Sequence, residues 1–337
     1  MWTVVGAGGD DPCACSLCGA KGAALLRNGF DSRVLENLAV TNQVRFLGIG
    51  AQKAATTWLW QAFRRHPEIW MPPRKELHYF DRSTHYLSPS YLATDRLAGR
   101  LLGSEEHNKR FRKVLIRELS AAVAAGDTAT FRWSMRYFFG TYNDDWYLSL
   151  FRDAVGKAVG EITPSYSMLD MPDVQKIQAL FPNLRVLFLM RDPVDRAWSQ
   201  YRFHQGQEGK QIAAISLRDV MAFMEWPGQR LRGDYNRTLA IWGACFPSEQ
   251  LWFGYFEDVV EDPTGTLASA LRFLEVDEKG ERDDAKLGMR VNTSQQVEMP
   301  IEVRRYLSRL YVDDLRILGR RIGGRTLKWL ESAESMV

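Results

Sequence analysis

Cysteine is scarce in this sequence. Only Cys13, Cys15, Cys18 and Cys245 occur, and three of them crowd the first twenty residues. That is no disulfide framework, so a reducing compartment is expected. The three close cysteines have no second Cys/His cluster nearby to complete four metal ligands. They read as part of a mobile tail, with no metal expected. No apolar run reaches about 18 residues, so no membrane-spanning helix is expected. No positive-then-apolar leader is evident either. An excess of one charge is missing too. Lys plus Arg number 44 and Asp plus Glu 41, a net of +3. Global charge therefore does not argue for nucleic acid, and any anion site must be local. Internal repeats and low-complexity tracts are absent.

What remains is a globular chain long enough for a substantial α/β core. Its eleven tryptophans read as large aromatic cores in preference to an aromatic-lined cleft. Residues 1–40 are rich in Gly, Ala and small polar residues and read as a tail, with a short helix around Val34, Leu35 and Leu38. From Val44 the pattern sharpens, and the domain is expected over 41–332. Phe46–Gly50 is a short apolar run ending in glycine, a buried strand. Thr57–His66 has helical spacing and is stopped by His66-Pro67. Val155–Ile162, Arg185–Met190 and Gln250–Phe256 read as further strands, and Met171–Phe181 and Arg304–Leu318 as helices. Asp192-Pro193 and Asp262-Pro263 each supply an N-cap followed by proline at the first helical position. Strands alternating with helices predict a single α/β domain with a central parallel sheet flanked by helices. Such sheets bind ligands at the carboxyl ends of their strands. A basic segment at about 95–130, carrying Lys109, Arg110, Arg112, Lys113 and Arg117, interrupts the alternation. It reads as a solvated helical insertion, with an acceptor-side lid as the second reading.

Three stretches carry chemistry. Gly50-Ala51-Gln52-Lys53-Ala54-Ala55-Thr56-Thr57-Trp58 joins a strand to a helix. A loop there presents backbone N–H groups and a positive helix end, to which Lys53 adds a cation and Thr56 and Thr57 add hydroxyls. It is not a Walker loop, because Lys53 precedes the small residues. In the second stretch, Arg191 ends a central strand and Ser199 lies two helical turns on, on about the same face. A guanidinium fork and a hydroxyl make a phosphate clamp. The third is Pro72-Pro73-Arg74-Lys75-Glu76-Leu77-His78-Tyr79-Phe80-Asp81. In an extended segment Glu76 and His78 would point to one side. Both qualify as general bases and Lys53 and Lys75 as charge-stabilising cations.

These stretches resemble, in order, the motifs of the sulfotransferases that use 3'-phosphoadenosine-5'-phosphosulfate (PAPS). The resemblance is nearest to the heparan sulfate and bacterial branch and spans roughly 44–330 without the insertion. It implies a P-loop-like sulfotransferase fold in which Lys53, Ala54, Ala55, Thr56 and Thr57 hold the 5'-phosphate and Trp58 lies against the adenine. Glycine is usual where Ala55 stands, and a methyl there crowds the phosphate unless φ is negative. Arg191 and Ser199 would bind the 3'-phosphate. Arg290, in Arg290-Val291-Asn292-Thr293, falls where the last nucleotide loop is expected. Glu76 would act as base, with His78 as second choice. Gly160–Tyr166 matches the branch's Glu-Lys-Thr-Pro-x-Tyr stretch, but Ile162 replaces a lysine of the glycosaminoglycan enzymes, which argues against a polyanionic sugar. Arg232–Asn236 and Phe246-Pro247 match an element near donor and acceptor.

The expected function is transfer of a sulfuryl group from PAPS to a hydroxyl, less readily an amine, of a small-molecule or carbohydrate acceptor. The product would be adenosine 3',5'-bisphosphate, with no metal required. The alternatives are a nucleotide-dependent kinase on a similar sheet and a nucleotide-binding homologue without turnover. A soluble cytoplasmic enzyme, or a trimmed form of an anchored one, is the expected setting.

Overall fold

The computed structural model describes residues 44–86, 94–154, 158–207, 216–278 and 297–337. The expected tail at 1–40, its cysteines and Arg290 lie outside the described residues. The chain enters through β1 (Phe46–Gly50), α1 (Thr56–Arg65) and β2 (Ile69–Trp70). Four helices follow: α2 (Leu97–Leu102), α3 (Glu106–Ala124), α4 (Thr128–Phe139) and α5 (Asp144–Ser149). The alternation resumes with β3 (Ala158–Ile162), a 3-10 turn at Pro164–Met168, α6 (Met171–Leu180), β4 (Arg185–Met190) and α7 (Pro193–Gln207). After α8 (Leu217–Glu225), α9 (Pro227–Gly233) and α10 (Tyr235–Cys245) comes β5 (Leu251–Tyr255). The described chain closes with α11 (Phe256–Glu261), α12 (Pro263–Phe273), α13 (Ile301–Ile322) and α14 (Arg325–Glu334).

The five strands are parallel in the order β2-β3-β1-β4-β5, as the alternating pattern predicts. Every residue of β1 and β3 is buried, because helices cover both faces of a parallel sheet. That is why these strands read as continuous apolar runs and not as alternations. Gly48 lets β1 and β3 approach closely: a Cβ there would lie 2.6 Å from Ile162 Cγ1. Ile162 is thus core packing, 1% exposed. Seven of the eleven tryptophans, among them Trp133 and Trp242, are buried, in line with the aromatic-core reading.

The Asp-Pro junctions behave as their chemistry dictates. Asp192 Oδ1 accepts from Val194 N at 2.9 Å and Asp262 Oδ1 from Gly265 N at 2.8 Å, opening α7 and α12. The helical stretch between β2 and β3 is longer than its basic core suggested and runs to Ser149. Its inward side is apolar, with Phe111 on Phe138 at 5.6 Å, while Lys109, Lys113 and Arg117 face outward.

Strand order reverses between β1 and β4. After β1 the chain builds one side of the sheet, then crosses to build the other. The loops leaving the two strands therefore diverge and open a crevice at their carboxyl ends. The first two chemical stretches both start there.

Candidate active site

The loop from β1 to α1 carries two left-handed residues, Lys53 at φ 69° and Ala55 at φ 64°. Left-handed residues interleaved with ordinary ones turn successive N–H groups toward one side, the geometry of backbone anion nests. Ala55 is the N-cap of α1, and no side chain caps that helix. The condition under which a methyl at position 55 is harmless, a negative φ, is not met. The loop keeps the shape that glycine would adopt freely and bears the strain of Cβ against the following carbonyl.

Arg191 leaves β4 directly beside this loop. Its Nη1 donates to the carbonyl of Lys53 at 3.2 Å, so the two cationic stretches meet, as their spacing in the chain alone could not guarantee. Past the strand end, the main chain of Arg191 has no sheet partner. The Tyr235 hydroxyl serves it instead, donating to Arg191 O at 2.9 Å and accepting from Arg191 N at 3.4 Å. Phe256 lies 4.1 Å under the guanidinium, and Glu257 Oε1 accepts from Asp192 N at 3.2 Å. Lys53 Nζ sits 4.2 Å from the ring centre of Phe203. Burial, and then the charges of Arg191, Arg202 and Lys75, push the Lys53 ammonium down to about 8. Burial likewise lowers Arg191 and Arg202. Cations whose charged forms are disfavoured by burial and by one another form a pocket that an anion would relieve. Burial, with Asp195 and Glu257 beside it, pushes Asp192 up to about 7.

Glu76 and His78 are not in an extended segment. Both are left-handed, at φ 64° and 55°, yet their side chains still meet, with His78 Nε2 3.4 Å from Glu76 Oε2. His78 Nδ1 lies 2.9 Å from Asp81 Oδ2, and Asp81 also accepts from Ser165. Lys75 pairs with the other oxygen of Glu76. Burial alone would raise Glu76, but the His78 hydrogen bond and the Lys75 charge outweigh it and hold the carboxyl near 2. Burial would lower His78, but the charge and hydrogen bond of Asp81, joined by Glu76, hold it well above the usual imidazole range. Glu76 therefore favours its ionised form, with a third of its side chain in solvent, and His78 is a buried ring between two carboxylates that favour its protonated form.

This left-handed segment is pinned from below by Glu161, 1% exposed at the end of β3. Its carboxylate accepts from Leu77 N at 3.2 Å, Thr163 Oγ1 at 2.6 Å, Tyr147 OH at 3.0 Å and Tyr166 OH at 2.8 Å. Tyr79 N donates to Tyr166 OH at 3.0 Å. Burial raises Glu161, and those four donors oppose it.

Of the residues expected from sequence, Lys53, Ala54, Ala55, Arg191, Glu76 and His78 cluster at the crevice. Lys75 links its two halves, because it pairs with Glu76 and repels Lys53. Thr56, Trp58 and Ser199 are buried at 6%, 6% and 5% exposure, and Thr57 is half-buried. The sequence reading missed Asp81, Arg202, Phe203, Tyr235 and Phe256 as contributors. Arg202 had a signal, lying one turn beyond Ser199 on α7. Phe256 had none, because only the sheet brings β5 beside β4. Among the described residues no group of three His, Cys, Asp or Glu side chains is arranged to hold a metal ion. No described helix is long and apolar enough to cross a membrane.

Comparison with known proteins is consistent with this geometry. The chain is 29% identical over 134 residues to heparan sulfate glucosamine 3-O-sulfotransferase 6 of Homo sapiens, covering 38% of this chain and 39% of that protein. The 3B1 enzyme of the same name from Mus musculus gives 29% over 135 residues, 38% of this chain and 34% of that protein. The chain thus matches less than two fifths of the length of these relatives. In fold it is similar to a sulfotransferase from Alicyclobacillus acidocaldarius, with a TM-score of 0.57 and 21% identity over 85% of this chain and 98% of that one. The sequence pattern described as "Sulfotransferase family" matches residues 46–279, a span that holds the Lys53, Glu76 and Arg191 stretches, and the chain belongs to that family.

Proposed function

We propose that this protein transfers a sulfuryl group from PAPS to an alcohol by in-line displacement, with Glu76 as base. The observation that carries the reading is the meeting of Lys53 and Arg191 at neighbouring strand ends, the guanidinium on the Lys53 carbonyl. Two cationic positions separated by the loop suit a molecule with an anionic group at each end, as PAPS has. Lys53, Ala54, Ala55, Thr56 and Thr57 would surround the 5'-phosphosulfate. Arg191 and Ser199 would take the 3'-phosphate. Trp58 would support the adenine only through packing, since it is buried, and Arg290 keeps its expected nucleotide role as a proposal.

In the transfer, Glu76 takes the proton of the acceptor hydroxyl as its oxygen bonds to sulfur. Lys53 holds the negative charge left on the 5'-phosphate oxygen when the bond from sulfur to that oxygen breaks. Products are the sulfate ester and adenosine 3',5'-bisphosphate. In this proposal His78, which Asp81 holds well above the usual imidazole range, orients Glu76. Positioning and fixed charge supply the acceleration, as in phosphoryl transfer. The names of the relatives favour a carbohydrate acceptor.

The test is transfer from labelled PAPS to a panel of alcohols, with Glu76→Gln and Lys53→Ala beside the parent. Loss of turnover in both variants supports the reading. Unchanged turnover in both rejects these roles, and phosphoryl transfer from ATP and magnesium would replace the reaction class.

A further inference from the structure

The carboxylate of the proposed base is engaged on both sides. Lys75 Nζ pairs with Glu76 Oε1, and His78 Nε2 lies 3.4 Å from Oε2. Two such partners on one carboxylate favour its ionised form and make it a weak proton acceptor. Burial pushes Glu76 up, but the His78 hydrogen bond and the Lys75 charge bring it down to about 2. A general base works best with a value near the operating pH. Glu76 therefore gains basicity when one of the two partners leaves it.

The two partners differ in their freedom to move. His78 is buried, and its other ring nitrogen lies 2.9 Å from Asp81 Oδ2, which Ser165 also engages. The neighbouring Arg74 is tied to Glu118. Lys75 carries its charge on a flexible stem, and among the described residues its ammonium pairs with no carboxylate but Glu76. Its charge is also felt at Lys53, where it adds to the repulsion from Arg191 and Arg202. An anionic group beside Lys53 would draw Lys75 toward it.

We propose that Lys75 exchanges partners when the donor binds, leaving Glu76 for the sulfuryl oxygens of PAPS, so that the donor itself switches on the base. The inference rests on the sulfuryl-transfer reading above. Glu76 must reach the acceptor oxygen that attacks sulfur. The side chain paired with Glu76 therefore lies at the sulfuryl end of the donor and not at its phosphate end. The exchange makes Lys75 a second cation on the transferring group, while Lys53 holds the 5'-phosphate oxygen from which sulfur departs. The Glu76 oxygen that Lys75 leaves receives the acceptor proton. With the Lys75 charge gone, burial is opposed less and the carboxyl becomes more basic. Adenosine 3',5'-bisphosphate has no sulfuryl group, so the product leaves Lys75 on Glu76 and the base switched off.

The experiment follows the Glu76 carboxyl by isotope-edited infrared spectroscopy of the full chain, its band identified as the one lost in Glu76→Gln. Spectra are titrated with pH for the protein alone, with adenosine 3',5'-bisphosphate, and with PAPS in the absence of acceptor. In the parent, PAPS raises the titration midpoint by about one pH unit or more, and the bisphosphate leaves it unchanged. Lys75→Gln raises the midpoint without any ligand, and PAPS then moves it far less. The same variant lowers kcat by roughly 10²-fold and narrows the preference for PAPS over the bisphosphate in calorimetry. Lys75→Arg restores most of both. A parent midpoint indifferent to PAPS, or full turnover by Lys75→Gln, overturns the exchange and leaves the sulfuryl-transfer reading standing. So does an equal rise with PAPS in parent and Lys75→Gln, which would come from the donor's charge alone. No heat with either nucleotide in the parent overturns the sulfuryl-transfer reading itself.

Discussion

The two halves of the crevice are built on different principles. On the donor side, the loop after β1 and the end of β4 are adjacent because the strands are adjacent, and backbone geometry does most of the work. Left-handed Lys53 and Ala55 set the loop, and Tyr235 holds the main chain of Arg191. On the base side, no strand carries Glu76 or His78. Their left-handed segment is held by a buried carboxylate, Glu161, and by Asp81. Main-chain scaffolds tolerate loss of a side chain. A buried hydrogen-bonded network fails as a unit, because each partner left behind is an unsatisfied polar group.

That contrast can be broken or sharpened by substitution. The largest effect is expected from Glu76→Gln, which removes the proposed proton acceptor and lowers kcat by roughly 10²- to 10⁴-fold, with adenosine 3',5'-bisphosphate affinity unchanged. A weakened nucleotide in calorimetry would show that the halves are not separate. Next is Glu161→Leu. It strands three hydroxyls, at about 1–3 kcal/mol for each group left unpaired, while Leu77 N keeps Thr163 Oγ1 at 3.0 Å. A fall in denaturation midpoint, together with a loss of turnover, is expected. Glu161→Gln, which keeps an acceptor oxygen, should lose less. If both variants unfold with the parent midpoint, the base side is not held by this network.

The donor side answers better to pH. Lys53 is charged below about 8 and loses its proton above it. Nucleotide affinity should fall as pH rises through that value, by at most about tenfold per unit for one proton, with proton uptake on binding near pH 8 to 9. Over the range from about 8 to the ordinary lysine value of 10.5, the stability of the free protein should rise. There the unfolded chain retains a proton that native Lys53 has shed. Affinity flat across this range would remove Lys53 from the phosphate site. The smallest effect is Ala55→Gly. Relief of a left-handed alanine, worth about 1–2 kcal/mol, is partly offset by the extra freedom of glycine in the unfolded chain. A modest rise in thermal midpoint with nucleotide binding retained is expected, and a fall would mean that the loop is not strained at Ala55.

Much of the donor side was legible beforehand because its signals are local. Arg185–Met190 is an unbroken apolar run because a central parallel strand is buried on both faces, and the structure gives the same bounds. Asp192 and Asp262 cap helices by reaching residues two or three positions on, a distance a reader of sequence can see. Glu76 and His78 were legible as chemistry but not as conformation. Nothing nearby announces left-handed backbone at non-glycine positions, whose cost must be borne by distant contacts. Glu161 sat in a recognised stretch, yet its task was hidden, because its donor Leu77 is 84 residues away.

The sequence by itself determined the element pattern and the family. The elements follow from periodicity and short-range capping, and the family from the resemblance of short motifs, all of which act within a few residues. Only the tertiary structure decided that Arg191 lands on Lys53, that Glu161 reaches Leu77 N, and that Tyr235 serves the main chain of Arg191. These are contacts between segments tens to more than a hundred residues apart. Their geometry is set by strand order and by burial, which no local pattern encodes.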